Sequence, residues 1–182
     1  FYNPRDFTEG VSYADRRVDD KPYGGGPGMV IEALPVIKAI GKAIGKNKKT
    51  KTKIIWLAPS GKRFDTSYAK NISKKYTDIV IVCGRYEGID ARVKKVFKVE
   101  ELSIGPFVVT GGELPAMILI DSISRQIKGV LGDIQSLEEN RISSSDVYTR
   151  PEVVEYKGKK YRVPKVLLSG NHKMIDEWKK NK

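Results

Sequence analysis

The sequence predicts an α/β domain built on a mostly parallel sheet, and three observations carry that prediction. Two short, unbroken apolar runs, Lys53–Ala58 (KIIWLA) and Ile79–Cys83 (IVIVC), read as strands buried on both faces. Segments with apolar residues at helical spacing alternate with them. Glycine-rich loops follow the strands or precede the helices. The first helix has Pro35 in its opening turn, an apolar face through Ile37, Ile40 and Ile44, and Gly45 at its end. Phe107–Thr110 (FVVT) is a third, shorter strand candidate. A long helix begins near Pro115, with Met117, Ile120, Ile123, Ile127 and Val130 at helical spacing and Gly129 and Gly132 marking its end. From Asp133 to Val147 the pattern gives way to polar residues with three consecutive serines, a linker or mobile loop. The tail holds a hairpin-like stretch, Val153–Val163, then an apolar VLL, and a final helix near Ile175–Trp178. This divides the chain into a domain over 1–132, a linker over 133–147 and a C-terminal segment over 148–182.

Size and charge narrow the partners. A chain of 182 residues with 40% apolar side chains can bury the core of one domain with a modest extension. Its 34 Lys+Arg against 22 Asp+Glu give a formal +12, which favours a polyanion, nucleic acid above all. The densest basic run, KNKKTKTK (Lys46–Lys53), reads as a solvated loop joining a helix to a strand. With one cysteine there is no disulfide framework, and the chain fits a reducing cytosol. No apolar run is long enough to span a bilayer, and no signal peptide is visible. The chain opens on Phe1, so a further N-terminal piece is expected. A single His172 and a single Cys83 exclude a Cys/His zinc site, and no metal site is expected. Cys83 ends the IVIVC run and reads as a small, inert, buried thiol.

Three motifs fail on inspection. GKAIGKN (Gly41–Asn47) is one residue short of a phosphate loop, ends in Asn where Ser or Thr must meet magnesium, and closes a helix instead of opening one. GGGPGM (Gly24–Met29) has Met29 where a dinucleotide fingerprint needs its last glycine, and no strand precedes it. SGNH (Ser169–His172) spells a hydrolase nickname without the GDS nucleophile block, since Gly132-Asp133 runs on to Ile134. What holds is a set of glycine loops: LAPSG (Leu57–Gly61), GRYEG (Gly84–Gly88) and SIGPFVVTGGELP (Ser103–Pro115). In an open parallel sheet such loops meet beyond the carboxyl ends of the strands, where backbone groups can approach a small ligand.

The residues carry a resemblance. NPRDF, VDDKPYGGGPGM, LAPSGKRF, VCGRYEGIDARV, ELSIGPFVVTGGELPAMILIDSISR, VYTRPE and VPKVLLSGNH occur in the order found in bacterial tRNA (guanine-N1-)-methyltransferases of the TrmD family. The match runs from Asn3 to Trp178. The resemblance implies a SPOUT-type fold with a deep trefoil knot, an obligate homodimer, and tRNA bound across both subunits. It implies methylation of guanine 37 with S-adenosyl-L-methionine as donor. By position the donor would lie against Trp56, Leu57, Ala58 and Pro59, then Gly84, Arg85, Tyr86 and Glu87. Ile104, Gly105, Pro106, Phe107, Val108 and Val109 would follow, with Gly111, Gly112 and Pro115 closing the pocket. Glu87 would meet the donor's amino group. Gly24–Gly28 is either a plain turn or, by resemblance, a neighbour of the target guanine.

A sulfonium methyl is already activated, so the protein need only align a nucleophile with it. Guanine N1 is protonated, which calls for a carboxylate base and a cation near O6 where negative charge develops. The resemblance assigns the cation to Arg125, whose alternative is an i,i+4 ion pair with Asp121. The family's base falls four residues before the Tyr of YTRP, at Ser144 here. A serine is too weakly basic for that task, so Asp146 is the expected base, with a plain linker or capping role as its alternative. Asp90 reads as the cap of a helix near Ala91. Magnesium is left open as an auxiliary ion. Two further departures are Pro106 where relatives often carry Asp, and Phe107 where they usually carry Tyr, losing a hydroxyl hydrogen bond. A third is the tail, which stops at Lys182 where the family continues into a helical domain that grips tRNA. Two rivals stand beside this reading: a non-catalytic RNA-binding relative that keeps the knot, and a related knotted enzyme acting at another RNA position. GGGPGM together with YTRP argues against the second.

Overall fold

The computed structural model describes residues 1–9, 16–45, 51–131, 142 and 144–181. The basic stretch 46–50 and the polar residues 132–141 and 143 lie outside them. The chain divides into two units, Phe1–Val130 and Leu131–Lys182.

The first unit is organised by one strand. After a 3-10 turn (Pro4–Phe7), a two-residue antiparallel pair of β1 (Asp19–Asp20) and β2 (Val30–Ile31) leads into helix α1 (Ala33–Ile44). Strand β3 (Thr52–Arg63) follows, then α2 (Thr66–Lys75), β4 (Asp78–Val82), the short α3 (Val93–Val96), β5 (Val99–Ser103) and α4 (Glu113–Ser124). The sheet order is β4-β3-β5, all parallel, so all three strands end on the same side. Side chains of β3 alternate between faces. Ile54 and Trp56 pack with Val36 and Ile40 of α1, Val82 and Val93. Ile55 packs on the opposite face with Ala69 and Ile72 of α2, Leu102 of β5, and Leu119 and Ile123 of α4. Ile55, Leu119 and Val93 are fully buried, and truncating such a residue to Ala costs about 2–5 kcal/mol.

Three expectations need correction. The third strand is Val99–Ser103, not Phe107–Thr110, which has no ladder partner and leaves Phe107 and Val108 exposed. Helix α4 buries Pro115, Ala116, Leu119 and Ile123, while Met117 and Ile120 of the expected face are exposed, as are Ile127 and Val130 beyond the helix. The helix is apolar on two sides, so spacing alone could not choose between them. Cys83 is half-buried rather than buried, because β4 lies at the sheet edge.

Strand β3 carries the feature that shapes the site. It pairs with β5 through Ile54–Leu57, loses register, and resumes pairing at Lys62 and Arg63. The four residues between, Ala58–Gly61, form a ledge standing away from the sheet. Gly61 allows the return: a Cβ there would lie 2.6 Å from backbone atoms of Glu101 and Leu102.

The second unit contains a hairpin, β6 (Val153–Tyr156) and β7 (Lys159–Arg162), and helices α5 (Lys165–Leu168) and α6 (His172–Lys180). The Arg150–Pro151 peptide is cis. Asn171 caps α6, its side chain accepting the Met174 N–H at 3.3 Å, and the Tyr148 and Trp178 rings pack with centroids 6.1 Å apart. Among the described residues no helix is long and apolar enough to cross a membrane.

Candidate active site

A cleft of about 270 Å³ opens beyond the carboxyl ends of the three strands. One wall is the β3 ledge with Leu57, Ala58 and Pro59. A second is the loop after β4, Gly84–Gly88. The third runs from Leu102, Ser103 and Ile104 at the end of β5 through Phe107–Gly112 to Pro115 of α4.

Backbone contacts hold these walls together. The Gly112 N–H donates to the Gly84 carbonyl at 3.0 Å, joining the start of α4 to the end of β4. A Cβ on Gly112 would sit 2.7 Å from Cys83 Cα, so the approach requires glycine by space alone, with φ an ordinary −76°. The Arg85 guanidinium donates to Glu113 Oε1 at 2.8 Å across the same seam. That hydrogen bond holds the Glu113 carboxyl below its ordinary range. Burial first, and then the nearby Glu113 charge, push the Cys83 thiol up to about 11, which makes it a poor nucleophile. Ser103, itself buried, folds the third wall: its hydroxyl donates to the Gly105 carbonyl at 2.9 Å.

The glycine-rich loop 24–28 adjoins the rim. Gly24, Gly25, Gly26 and Gly28 all take positive φ, which explains why the run is glycine. Glu87 donates its N–H to the Met29 carbonyl at 3.1 Å, and the Ile31 N–H donates to the Gly88 carbonyl at 2.9 Å. A Cβ on Gly28 would meet Glu87 Oε1 at 2.6 Å, so the Glu87 side chain lies directly against this loop. Tyr86, beside it, holds φ at 57° without being glycine, a conformation that costs about 1–2 kcal/mol and marks a constrained loop.

Most of the expected donor-binding residues therefore share one cleft; Trp56, Gly105 and Pro106 do not line it. Trp56 is buried in the core with the Lys94 ammonium 4.9 Å above its ring. Gly105 is buried behind Phe107, and Pro106 faces outward. Gly88, Leu102, Ser103 and Thr110 line the cleft unforeseen, and Glu113 stands at its seam. Their signal was their place inside the quoted loops. Asp90 accepts the Arg92 N–H at 2.8 Å and pairs with the Arg92 guanidinium at 2.6 Å; it lies three residues ahead of α3, whose N-cap is Arg92, and so does not cap that helix as expected. Arg125 is the half-buried C-cap of α4, its N–H bonded to the Asp121 carbonyl at 3.1 Å. Asp146 lies in the second unit, exposed, with its N–H donated to Ser144 Oγ at 3.1 Å. Among the described residues no three His, Cys, Asp or Glu side chains gather as a metal site.

Sheet order, glycine loops and cleft define a class: a parallel α/β protein with an open cleft at its strand ends. All 182 residues match the family model described as tRNA (Guanine-1)-methyltransferase TrmD, and the chain belongs to that family of transferases. The tRNA (guanine-N(1)-)-methyltransferase of Photobacterium profundum is 46% identical over 98% of this chain and 70% of its own length. Those of Vibrio vulnificus and Vibrio cholerae are 46% and 47% identical over the same shares. The chain thus spans about 70% of the length of these relatives.

Proposed function

We propose that this chain transfers the methyl group of S-adenosyl-L-methionine to N1 of guanine 37 in tRNA, acting in the cytoplasm as a knotted homodimer. The observation that carries the reading is the single cleft in which all three glycine loops meet.

The residues present fit the donor. Leu57, Ile104, Phe107 and Pro115 offer apolar walls for a purine, and exposed backbone groups of the glycine loops offer hydrogen bonds to its edge. Glu87 supplies a carboxylate for a cationic amino group, its backbone tied to Met29 and its side chain lying against Gly28. The absence of a Cβ at Gly112 keeps the seam closed behind it. When bound, S-adenosyl-L-methionine supplies an activated methyl and needs no metal to do so.

The chain's own residues then have two tasks. Arg125 stands at the end of α4, where its backbone N–H makes the last helical bond, and its guanidinium is assigned to the developing charge on guanine O6. The Asp146 carboxylate is assigned to accept the N1 proton. Ser144, where the family resemblance puts the carboxylate, accepts the Asp146 N–H at 3.1 Å. Leu114, Met117 and Ile118 leave an apolar face of α4 exposed, which supports pairing of two copies along that helix. The direct Gly112–Gly84 contact supports a chain that threads closely past itself at the cleft.

The test is tritium transfer from labelled S-adenosyl-L-methionine to tRNA with guanosine at position 37, followed by mapping of the product nucleoside. Label in 1-methylguanosine at that position is expected. Label elsewhere, or no transfer by dimeric protein, refutes the assignment.

A further inference from the structure

Tyr68, in the first turn of α2, makes more specific contacts than a residue that merely fills space. Its N–H is held by the Asp65 carboxylate at 2.7 Å, which fixes the base of the side chain. Its hydroxyl donates to Glu100 Oε2 at 3.0 Å, the same oxygen that pairs with the Lys53 ammonium. Lys53 lies on β3 two residues before Ile55, and Glu100 lies on β5 opposite Ile55, so the pair ties the two strands together on the α2 face. Burial opposes the Glu100 charge, while the Lys53 and Tyr68 bonds and the Lys53 and Lys62 charges hold its carboxyl below the ordinary range. The Tyr68 ring packs edge to face with Phe64, centroids 5.9 Å apart, and Lys62 Nζ stands 5.6 Å from its centroid. Lys62 and Phe64 bracket the point where β3 rejoins β5 beyond the ledge. Lys62 pairs with Leu102 and Arg63 with Ser103, and the Phe64 N–H donates to the Ser103 carbonyl at 2.8 Å. Tyr68 and Phe64 also pack on the core cluster that holds Leu57 and Ile104, two residues of the cleft wall.

We propose that Tyr68 is a positioning residue for the methyl donor. It braces the far end of the β3 ledge through Lys62 and Phe64, and it is itself anchored by Glu100, so that Ala58 and Pro59 stand where a ligand meets them. Tyr68 does not line the cleft and touches no reacting group. The inference rests on the reading of that cleft as the donor site, and it adds a residue that acts on the site from behind its wall. Its effect belongs to affinity: a ledge that the ligand has to reorder weakens binding and leaves the methyl-transfer step alone. The hydroxyl and the ring have separable parts, the first in the bond to Glu100 and the second in the contacts with Lys62 and Phe64.

The experiment uses the whole chain with Tyr68→Phe, Tyr68→Ala and a control, Ile40→Val, which trims the core on the opposite face of the sheet. Three readouts are taken: calorimetric titration with S-adenosylhomocysteine, steady-state methyl transfer to a tRNA transcript with guanosine at position 37, and hydrogen exchange at the Ser60 and Gly61 amides. Tyr68→Phe should weaken S-adenosylhomocysteine binding about three- to tenfold, the effect of one hydrogen bond to a charged partner, and Tyr68→Ala should weaken it further. In both, KM for the donor rises in parallel and kcat at saturation stays within about twofold of the parent. Exchange at Ser60 and Gly61 quickens in Tyr68→Ala and not in Ile40→Val, although both variants melt earlier. Tyr68 variants that bind like the parent overturn the proposal. So does an Ile40→Val protein that loses as much affinity, which reduces the effect to general stability. A fall in kcat with KM unchanged also overturns it. A parent that binds S-adenosylhomocysteine and transfers no methyl, with Tyr68 variants that bind more weakly, refutes the catalytic reading and leaves this one standing. A parent that methylates, with Tyr68 variants unchanged in KM, refutes this one alone.

Discussion

Replacing Gly112 by Ala tests whether the seam between β4 and α4 builds the cleft. The new Cβ would sit 2.7 Å from Cys83 Cα and 2.9 Å from Cys83 Cβ, both belonging to the residue that directly follows β4. Ordinary contact needs about 3.4 Å, so the helix start must move by about 0.7 Å. That shift stretches the Gly112 N–H to Gly84 carbonyl bond, now 3.0 Å, past the limit of a useful hydrogen bond. The lost bond costs about 1 kcal/mol and the overpacking about 1–3 kcal/mol. A loss of roughly 3 kcal/mol lowers the melting temperature by roughly 10 °C. Because Gly111, Gly112 and Pro115 move with the helix start, methyl transfer should fall by about 10- to 100-fold. Thermal unfolding by circular dichroism and calorimetric titration with S-adenosylhomocysteine read the two effects. Gly41→Ala is the control: it lies within α1 with open space around it, and should raise stability by about 0.5–1 kcal/mol. A Gly112→Ala protein with parental melting temperature and parental affinity would refute the reasoning.

Arg125→Ala is expected to keep S-adenosylhomocysteine binding and lose methyl transfer; retained turnover ends its assignment. Between Asp146→Asn and Ser144→Ala, single-turnover rates should fall far more for the first, since Ser144 contributes one exposed hydrogen bond; the reverse order moves the base. Asp65 caps α2, accepting the Ser67 hydroxyl and the Tyr68 N–H, both at 2.7 Å. Those bonds, the Ser67 one first, hold its pKa below the ordinary value. The stability it confers is therefore present above the unfolded-state carboxylate pKa and lost as pH falls through the lower folded one. Asp65→Ala should lower the melting temperature at pH 7 and match the parent at the acid end of that window; a constant difference across it counts against the cap. With its thiol pushed up to about 11, Cys83 should react with a disulfide reagent at pH 8 about a hundredfold more slowly than an ordinary thiol. Rapid labelling of folded protein would contradict that burial.

How much of this was legible beforehand differs by element. Strand β3 announced itself because both its faces are buried between helices, leaving no polar position in KIIWLA beyond its first residue. Strand β5 did not, because Val99–Ser103 carries two glutamates. Glu100 is bound by Lys53 and by the Tyr68 hydroxyl at 3.0 Å, and Glu101 by Lys94 at 2.5 Å. Those partners come from other elements of the fold, so only the fold explains acidic residues in a strand. FVVT misled for the converse reason: its apolar side chains face a cleft instead of a core. The glycine loops located most of the cleft wall, since glycine is demanded by the same close approaches that create it. Trp56 was misplaced because its neighbours Leu57 and Ala58 do line the cleft, and strand alternation turns it to the α1 side. The Arg85–Glu113 link joins residues 28 apart and has no local signature.

The ledge in β3 has a consequence for how a ligand would be received. Ala58–Gly61 is moored at both shoulders to one neighbouring strand, so four residues have nowhere to wander and little chain entropy is left to surrender on contact. The facing stretch, Phe107–Thr110, has no such mooring and leans on no ladder. The pocket is thereby a jaw with one rigid side and one compliant side, and any reshaping on capture falls on the wall that carries Phe107.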